Sequence, residues 1–338
     1  MKFDFVIGNP PYQEENKNNG RQSPVYNYFM DEAYKIADCV EMIHPARFLF
    51  NAGQTPKSWN KERLSDKHFK VLQYEDDASK VFSNTEIKGG IAITLRNENR
   101  NFGEIGIFTE FEELNGILHK VMLVEGDSLT DICVGAVPYA YTDIFRKEHP
   151  ELVNLAGESF DLRTNAFEKL YNKAFYEETQ SENDAAIAGM YNKKRVILYI
   201  NEKYLKVPDN FYGYKVILSK AQGSGKFGEA LSSMIIGDKK MGHTQTFISM
   251  GNFKRKEEAF HLEKYLKTKF TRCMLSILKK TQDITPYKWK YVPLQDFTSS
   301  SDIDWSQSVA NIDEQLYRKY NLSDEEIDFI ETNVKEME

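Results

Sequence analysis

The sequence predicts an α/β protein: a front half of alternating strands and helices, then a mixed α+β region with a long helix near its C-terminal end. Three patterns carry this. Short apolar runs alternate with helically spaced ones over residues 1–110. Two further apolar runs, Val196–Ile200 and Lys215–Leu218, read as strands of a second region. From Lys254 to Lys280, the apolar residues Ala259, Leu262, Leu266, Phe270, Cys273 and Ile277 recur every three or four positions, as in one amphipathic helix of about seven turns.

Each element has a local reason. Residues 2–8 read as a buried strand ending in a turn at Gly8. Asn9-Pro10-Pro11-Tyr12 cannot extend it, because two prolines remove two ladder donors and fix φ. Residues 13–24 are polar, with Asn, Gly and Pro, and read as a loop. Tyr26, Phe29, Met30, Ala33, Ile36 and Ala37 have helical spacing from Val25 onward. Cys39–Ile43 is a strand ended by Pro45, and Thr55–Leu64 a helix with Pro56 at its first position. Val71–Tyr74, Ile87–Leu95 with its Gly89-Gly90 pair, and Ile105–Phe108 read as further strands. Residues 111–210 are mixed, with a polar excursion over Glu177–Asp184. Ser323-Asp324-Glu325-Glu326 is a capping box opening a last helix through Ile327, Ile330 and Val334.

The 338 residues are 41% hydrophobic and 28% charged, which excludes wholesale disorder. A net charge of −7 and a pI near 5.6 argue against a uniformly basic nucleic-acid coat. The average hides a partition. Residues 211–295 hold 16 Lys or Arg against 6 Asp or Glu, a net of +10, whereas residues 296–338 hold 3 against 12, a net of −9. The basic block reads either as a surface for an anionic partner or as charges interspersed on a solvated face. These shifts suggest four segments: 1–110, a connecting 111–210, a basic 211–300, and an acidic helical tail over 301–338. Three cysteines, at 39, 133 and 273, allow no disulfide framework or zinc ribbon. No apolar run reaches about 18 residues, so no membrane span is expected. The charged start lacks a signal-peptide core, and the expected location is cytoplasmic.

Asn9-Pro10-Pro11-Tyr12 is the motif that carries chemistry. It sits at the C-terminal end of an apolar strand, where α/β sheets place ligands. The Asn9 carboxamide oxygen and the Pro10 carbonyl are two acceptors held rigidly by the double proline. Converging acceptors suit an exocyclic amino group: they take both hydrogens and aim the nitrogen lone pair at an electrophile. Tyr12 offers a flat face for a base, and an adenine would have to leave the duplex to reach it. The other reading of the same residues is a rigid strand-to-loop turn capped by Asn9.

Phe3-Asp4-Phe5-Val6-Ile7-Gly8-Asn9-Pro10-Pro11-Tyr12-Gln13 resembles the catalytic motif of adenine-specific DNA methyltransferases of type II restriction–modification systems. Ile43–Leu49 resembles that family's next strand and turn, and Val81–Ile91 the segment closing the base pocket, with Phe82 either a second aromatic wall or plain core. Lys220–Gly225, Thr244–Phe247, Glu258-Ala259 with Lys264–Phe270, and Tyr291–Gln295 resemble target-recognition segments. The resemblance implies a partial Rossmann-like methyltransferase sheet followed by a target-recognition domain. It implies Asn9, Pro10, Pro11 and Tyr12 as catalytic, and Asn9, Tyr12 and Phe82 against the adenine. The implied cofactor is S-adenosylmethionine and the substrate double-stranded DNA.

The family's cofactor-binding half precedes the tetrapeptide, and Met1 stands eight residues before Asn9. The expectation is therefore a chain lacking that half, with Phe3–Ile7 as an open apolar edge that asks for a separate chain. The rival expectation is a non-catalytic DNA-recognition subunit or remnant. Gln222–Gly228 is a flexible DNA-facing loop or a plain turn, and it misses the phosphate-loop spacing. Candidate phosphate contacts are Lys220, Lys226, Lys239, Lys240, Lys254, Arg255 and Lys256. Thr244, Gln245 and Thr246 are candidate base-edge readers. The six histidines show no metal-ligand spacing, and the carboxylate pairs at 112–113 and 302–304 lack the basic frame of a nuclease.

Overall fold

The computed structural model describes residues 3–14, 23–51, 53–82, 87, 89–124 and 126–337. The fold is mixed α/β with several small sheets, and the chain divides into two units, Met1–Asn115 and Gly116–Glu338.

In the first unit, β1 (Phe3–Gly8) leads to α1 (Tyr26–Ile36), β2 (Ala37–Pro45), a 3-10 turn over Ala46–Phe50, α2 (Lys57–Leu64), β3 (Phe69–Glu75) and β4 (Ile91–Asn97). The sheet order is β1-β2-β4-β3. β1 runs parallel to β2, with Gly8 opposite Met42, and the other pairings are antiparallel. One face is a core: Val40 and Met42 of β2 meet Met30 and Ala33 of α1, with Phe48, Trp59 and Phe69 closing it. The opposite face of β1 is bare, with Phe3, Phe5 and Ile7 exposed at 52%, 49% and 74%. β1 is also the sheet's edge among the described residues.

Two strand expectations need correction here. Ile87 and the glycines lie outside β4, which starts at Ile91. Gly89 and Gly90 have φ of 89° and 72° and turn the chain, the Gly90 N–H donating to the Ile87 carbonyl. A Cβ on Gly90 would overlap the Glu75 carbonyl oxygen, so only glycine fits. Ile105–Phe108 is not a strand. Gly103 and Gly106 take φ of 83° and 61°, and Ile105 and Phe108 pack onto the first core as single side chains.

α3 (Glu112–Val124) carries the chain across the division. The second unit then holds β5 (Cys133–Val134), β6 (Ala140–Tyr141), α4 (Asp143–Glu148), α5 (Val153–Ala156) and α6 (Ala166–Leu170). Next come β7 (Asp184–Tyr191), β8 (Lys194–Asn201), β9 (Leu205–Lys206), β10 (Tyr214–Ser219), β11 (Ile235–Gly237), β12 (Met241–His243) and β13 (Phe247–Phe253). Its larger sheet has the order β11-β10-β13-β5, and a second runs β12-β7-β8.

The single long helix read over 254–280 is two helices, α7 (Lys256–Lys267) and α8 (Lys269–Ser276). Thr268 breaks them: its ψ is 148°, and its hydroxyl caps α8 by accepting from the Thr271 N–H. Both helices keep the apolar stripe, so the spacing continues through the break. The acidic end is helical and packed. α9 (Val309–Lys319) and α10 (Asp324–Asn333) pack against α8, with Phe270 and Tyr320 stacked 5.0 Å apart, and Ser323 and Glu326 form the expected capping box.

Candidate active site

β1 delivers the motif because its ladder must stop where the prolines begin. Pro10 is buried, while Pro11 and Asn9 are exposed. The Asn9 carboxamide makes no hydrogen bond among the described residues, so its oxygen is available to a ligand. After Tyr12 the chain folds back on itself: the Tyr12 carbonyl accepts from the Val25 N–H at 3.2 Å, and the Glu14 N–H donates to the Ser23 carbonyl at 3.0 Å. This return anchors the motif to the start of α1.

Tyr12 is half-buried. Its hydroxyl is enclosed with no partner among the described residues, and burial pushes its pKa up, so it stays a neutral phenol. An enclosed hydroxyl without a partner costs about 1–3 kcal/mol.

The parallel pairing puts the end of β2 beside the end of β1, and β4 starts there too, with Ile91 opposite Pro45. The Ala46 N–H donates to the Gly90 carbonyl at 3.0 Å, and the Arg47 side chain lies against Gly89. So the Asn9–Tyr12 turn, the 45–47 corner and the 89–91 corner share one end of the sheet. Phe82 is half-buried after the short turn Ala78–Lys80. The rest of its segment, 83–86 and 88, lies outside the described residues, as do 15–22 of the polar loop.

Behind this end sits His44, fully buried. Its Nδ1 faces the Pro45 carbonyl at 3.2 Å and must carry the proton, so its Nε2 accepts from the Thr94 hydroxyl at 2.7 Å. Tyr26 stacks on it at 5.6 Å. Burial lowers its pKa to about 4 and keeps it neutral. Spacing alone does not single out His44 or Arg47, although both lie in Ile43–Leu49, the stretch whose resemblance marks the next strand and turn.

The basic block is distributed differently from its sequence. Much of its charge is internal. Lys215 is fully buried and donates to the Phe211, Asp238 and Met241 carbonyls at 3.1, 3.2 and 2.9 Å, and burial lowers its pKa to about 8. Lys279 is buried against Glu229, and Lys269 pairs with Glu331 of the acidic segment at 2.5 Å. Opposite charges of the two segments thus meet within one unit.

The DNA-contact candidates fall at two ends of the larger sheet. Tyr214 of β10 is opposite Phe253, while Ser219 is opposite Phe247. Lys239, Lys240, Lys254, Arg255 and Lys256 belong to the first end, and Lys220, Gln245 and Thr246 to the second, roughly 17 Å away along six residues of strand. At the first end, Lys240 pairs with Glu202 at 2.9 Å, Lys256 with Asp238 at 2.7 Å and Arg255 with Glu258 at 3.1 Å. Lys254 and Lys226 are exposed and have no ion pair among the described residues.

Thr244 is a correction. It is fully buried, its hydroxyl bonded to Thr246 at 3.2 Å, so it offers nothing to a groove. Arg195, absent from the sequence reading, donates to Ser219, Ser232 and Ser233 near the second end.

The Gln222–Gly228 loop resolves into a tied turn. Glu229 accepts from the Ser224 and Gly225 N–H groups at 2.8 and 2.7 Å, and a Cβ on Gly225 would overlap the Lys280 backbone. Its backbone donors are thus filled from within, and the loop leaves no cradle for a phosphate. β1, for its part, runs into prolines rather than a Gly-rich turn. Among the described residues, neither this loop nor the end of β1 forms a Gly-rich turn with open backbone donors for S-adenosylmethionine. Among them, no group of three or more His, Cys, Asp or Glu could hold a metal ion, and no helix is long and apolar enough to cross a membrane.

Comparison with known proteins shows what the front of the chain is similar to. Residues 1–82 match the family model described as Eco57I restriction-modification methylase. The chain is 31% identical over 117 residues to an uncharacterized adenine-specific methylase of Mycoplasma pneumoniae, a match covering 33% of this chain and 28% of that protein. The chain thus spans little more than a quarter of that relative. These findings bear out the resemblance drawn from residues 3–13. Among solved structures, the type IIG restriction endonuclease BpuSI is similar at a TM-score of 0.31 and 10% identity, over 88% of this chain and 45% of that one.

Proposed function

We propose that this chain is the base-pocket and DNA-recognition part of a site-specific DNA adenine N6-methyltransferase from a restriction–modification system. One observation carries the reading: Asn-Pro-Pro-Tyr ends a strand at the sheet's C-terminal edge, with the Asn9 carboxamide exposed and unbonded. In this reading the target adenine leaves the duplex and stacks on Tyr12, with Phe82 as the far wall. Asn9 Oδ1 and the Pro10 carbonyl accept the two amino hydrogens and hold the nitrogen lone pair outward. The DNA duplex is held by exposed cations, Lys226 and Lys254 foremost, with Gln245 and Thr246 toward base edges.

S-adenosylmethionine supplies the methyl group when bound, and the described residues offer it no cradle. The proposal therefore includes a cofactor-binding half of a Rossmann-like sheet supplied from outside the described residues. The bare edge and face of β1 suit such a partner: a new strand would pair with β1, and apolar cover would bury Phe3, Phe5 and Ile7. Such an enzyme works in the cytoplasm, where its DNA lies. The rival reading is a DNA-recognition chain with no catalysis.

The test is methyl transfer from labelled S-adenosylmethionine to unmethylated DNA. The chain alone should show none, and mixing with a cofactor-binding half should restore it. Transfer by the chain alone would refute the need for a partner, and silence on mixing would favour the rival.

A further inference from the structure

Between α7, α8 and the start of α9 lies a cavity of about 590 Å3. That volume is typical of a small-molecule site. Four cationic side chains reach it: Lys264, Lys267, Lys269 and Arg272. Three are engaged elsewhere. Lys264 donates to the Trp305 and Gln307 carbonyls at 2.8 and 2.9 Å, Lys267 faces Glu263 at 3.4 Å, and Lys269 pairs with Glu331.

Arg272 differs. It is 1% exposed, and its Nε and Nη2 donate to the Lys267 and Thr268 carbonyls. Its Nη1 is enclosed and makes no hydrogen bond among the described residues, although the Asp313 carboxylate of the same wall is close enough to act on its charge. A buried guanidinium N–H without an acceptor is costly, and such a group asks for a missing partner.

A second feature opens on the same cavity. Val309 and Ala310 begin α9, an eleven-residue helix with no acidic residue in its first turn. Ser308 caps only the Asn311 N–H, at 3.2 Å, so the Val309 and Ala310 N–H groups have no intrahelical acceptor. Helix N-termini with free N–H groups take anions. The neighbouring N-terminus of α8 is already filled, because Asp313 accepts from the Lys269 and Phe270 N–H groups at 2.9 Å each. Of the other wall carboxylates, Glu331 is held by Lys269 and by the Tyr317 hydroxyl, which leaves Glu336.

We infer that this cavity binds a small phosphate-bearing molecule, its phosphate taken by Arg272 and the first turn of α9. The shared chemistry is a phosphate oxyanion. Arg272 is 1% exposed, so its side chain must open toward the cavity to meet any phosphate, and a free ligand asks for less opening than a duplex phosphodiester flanked by sugars. The site goes beyond the methyltransferase reading and stands without it.

The experiment is calorimetric titration of the full chain with inorganic phosphate, adenosine monophosphate and a short DNA duplex at fixed ionic strength. Saturable binding of phosphate and the nucleotide is expected. Arg272→Gln should weaken it about tenfold or more, the loss of a charge-assisted bond. Ala310→Asp should weaken it similarly, and an acid in the first helical turn leaves the fold intact. Lys61→Gln, on α2, should change nothing. Absence of saturable phosphate binding by the unmodified chain would overturn the inference. So would an unchanged affinity in Ala310→Asp with an undiminished melting temperature. Binding of the duplex but not of phosphate or nucleotide would overturn the assignment to a free ligand.

Discussion

Acidification should destabilise the first unit through His44, and the size of the effect follows from the structure. Burial lowers the pKa of His44 from 6.5 to about 4, while the unfolded chain keeps the ordinary value. Below pH 6.5 the unfolded state binds a proton that the folded state refuses, so stability falls as pH drops toward 4 and then levels off. The full span of about 2.5 units corresponds to about 3.4 kcal/mol, of which about 2 kcal/mol is lost by pH 5. The variant His44→Gln keeps a polar side chain near Thr94 and cannot titrate. Urea unfolding of both proteins at pH 7 and pH 5, followed by near-ultraviolet signals of Trp59, isolates the term. Unmodified protein should lose about 2 kcal/mol more than the variant on that change, whatever other groups contribute. Equal losses would mean that His44 is hydrated or paired in solution, and would refute the buried stack with Tyr26.

Other outcomes follow from single contacts. Gly90→Ala should cost more than about 2 kcal/mol, the left-handed backbone adding to the overlap with the Glu75 carbonyl, and a urea midpoint within error of the unmodified chain would count against that corner. Thr268→Ala should cost about 1 kcal/mol by removing the cap of α8, whereas a gain in stability and helical circular dichroism would restore the case for one continuous helix. In DNA binding titrated against salt, Lys254→Ala should reduce the slope of log affinity by about one, while Lys240→Ala, already paired with Glu202, should reduce it less. A flat salt response in the unmodified chain would remove the electrostatic role altogether.

Much of the first unit was legible because its elements are local. Tyr26, Met30 and Ala33 mark α1 by spacing alone, and Pro45 ends β2 where expected. The motif at 9–12 was legible for the same reason: a strand, then two prolines, can only make a rigid turn. What the pattern missed was long-range. The apolar stripe runs unbroken from Ala259 to Ile277, yet Thr268 and the distant Asp313 start a second helix inside it. The +10 block stayed open between a binding surface and a solvated face because sequence cannot show that Lys215 ends on three carbonyls or that Lys269 ends on Glu331. Thr244 looked like a base reader because its burial depends on strands drawn from residues 184–253. Ile105 and Phe108 were read as a strand from side chains alone, while the flanking Gly103 and Gly106 decided the backbone.

The most direct test of the account is Asn9→Ala in the reconstituted methyl-transfer assay, with DNA affinity measured in parallel. If Asn9 holds the flipped amino group, transfer should fall by about a hundredfold or more while the dissociation constant for DNA stays within about twofold. Transfer that survives the substitution would contradict the base pocket assigned to Asn9-Pro10-Pro11-Tyr12.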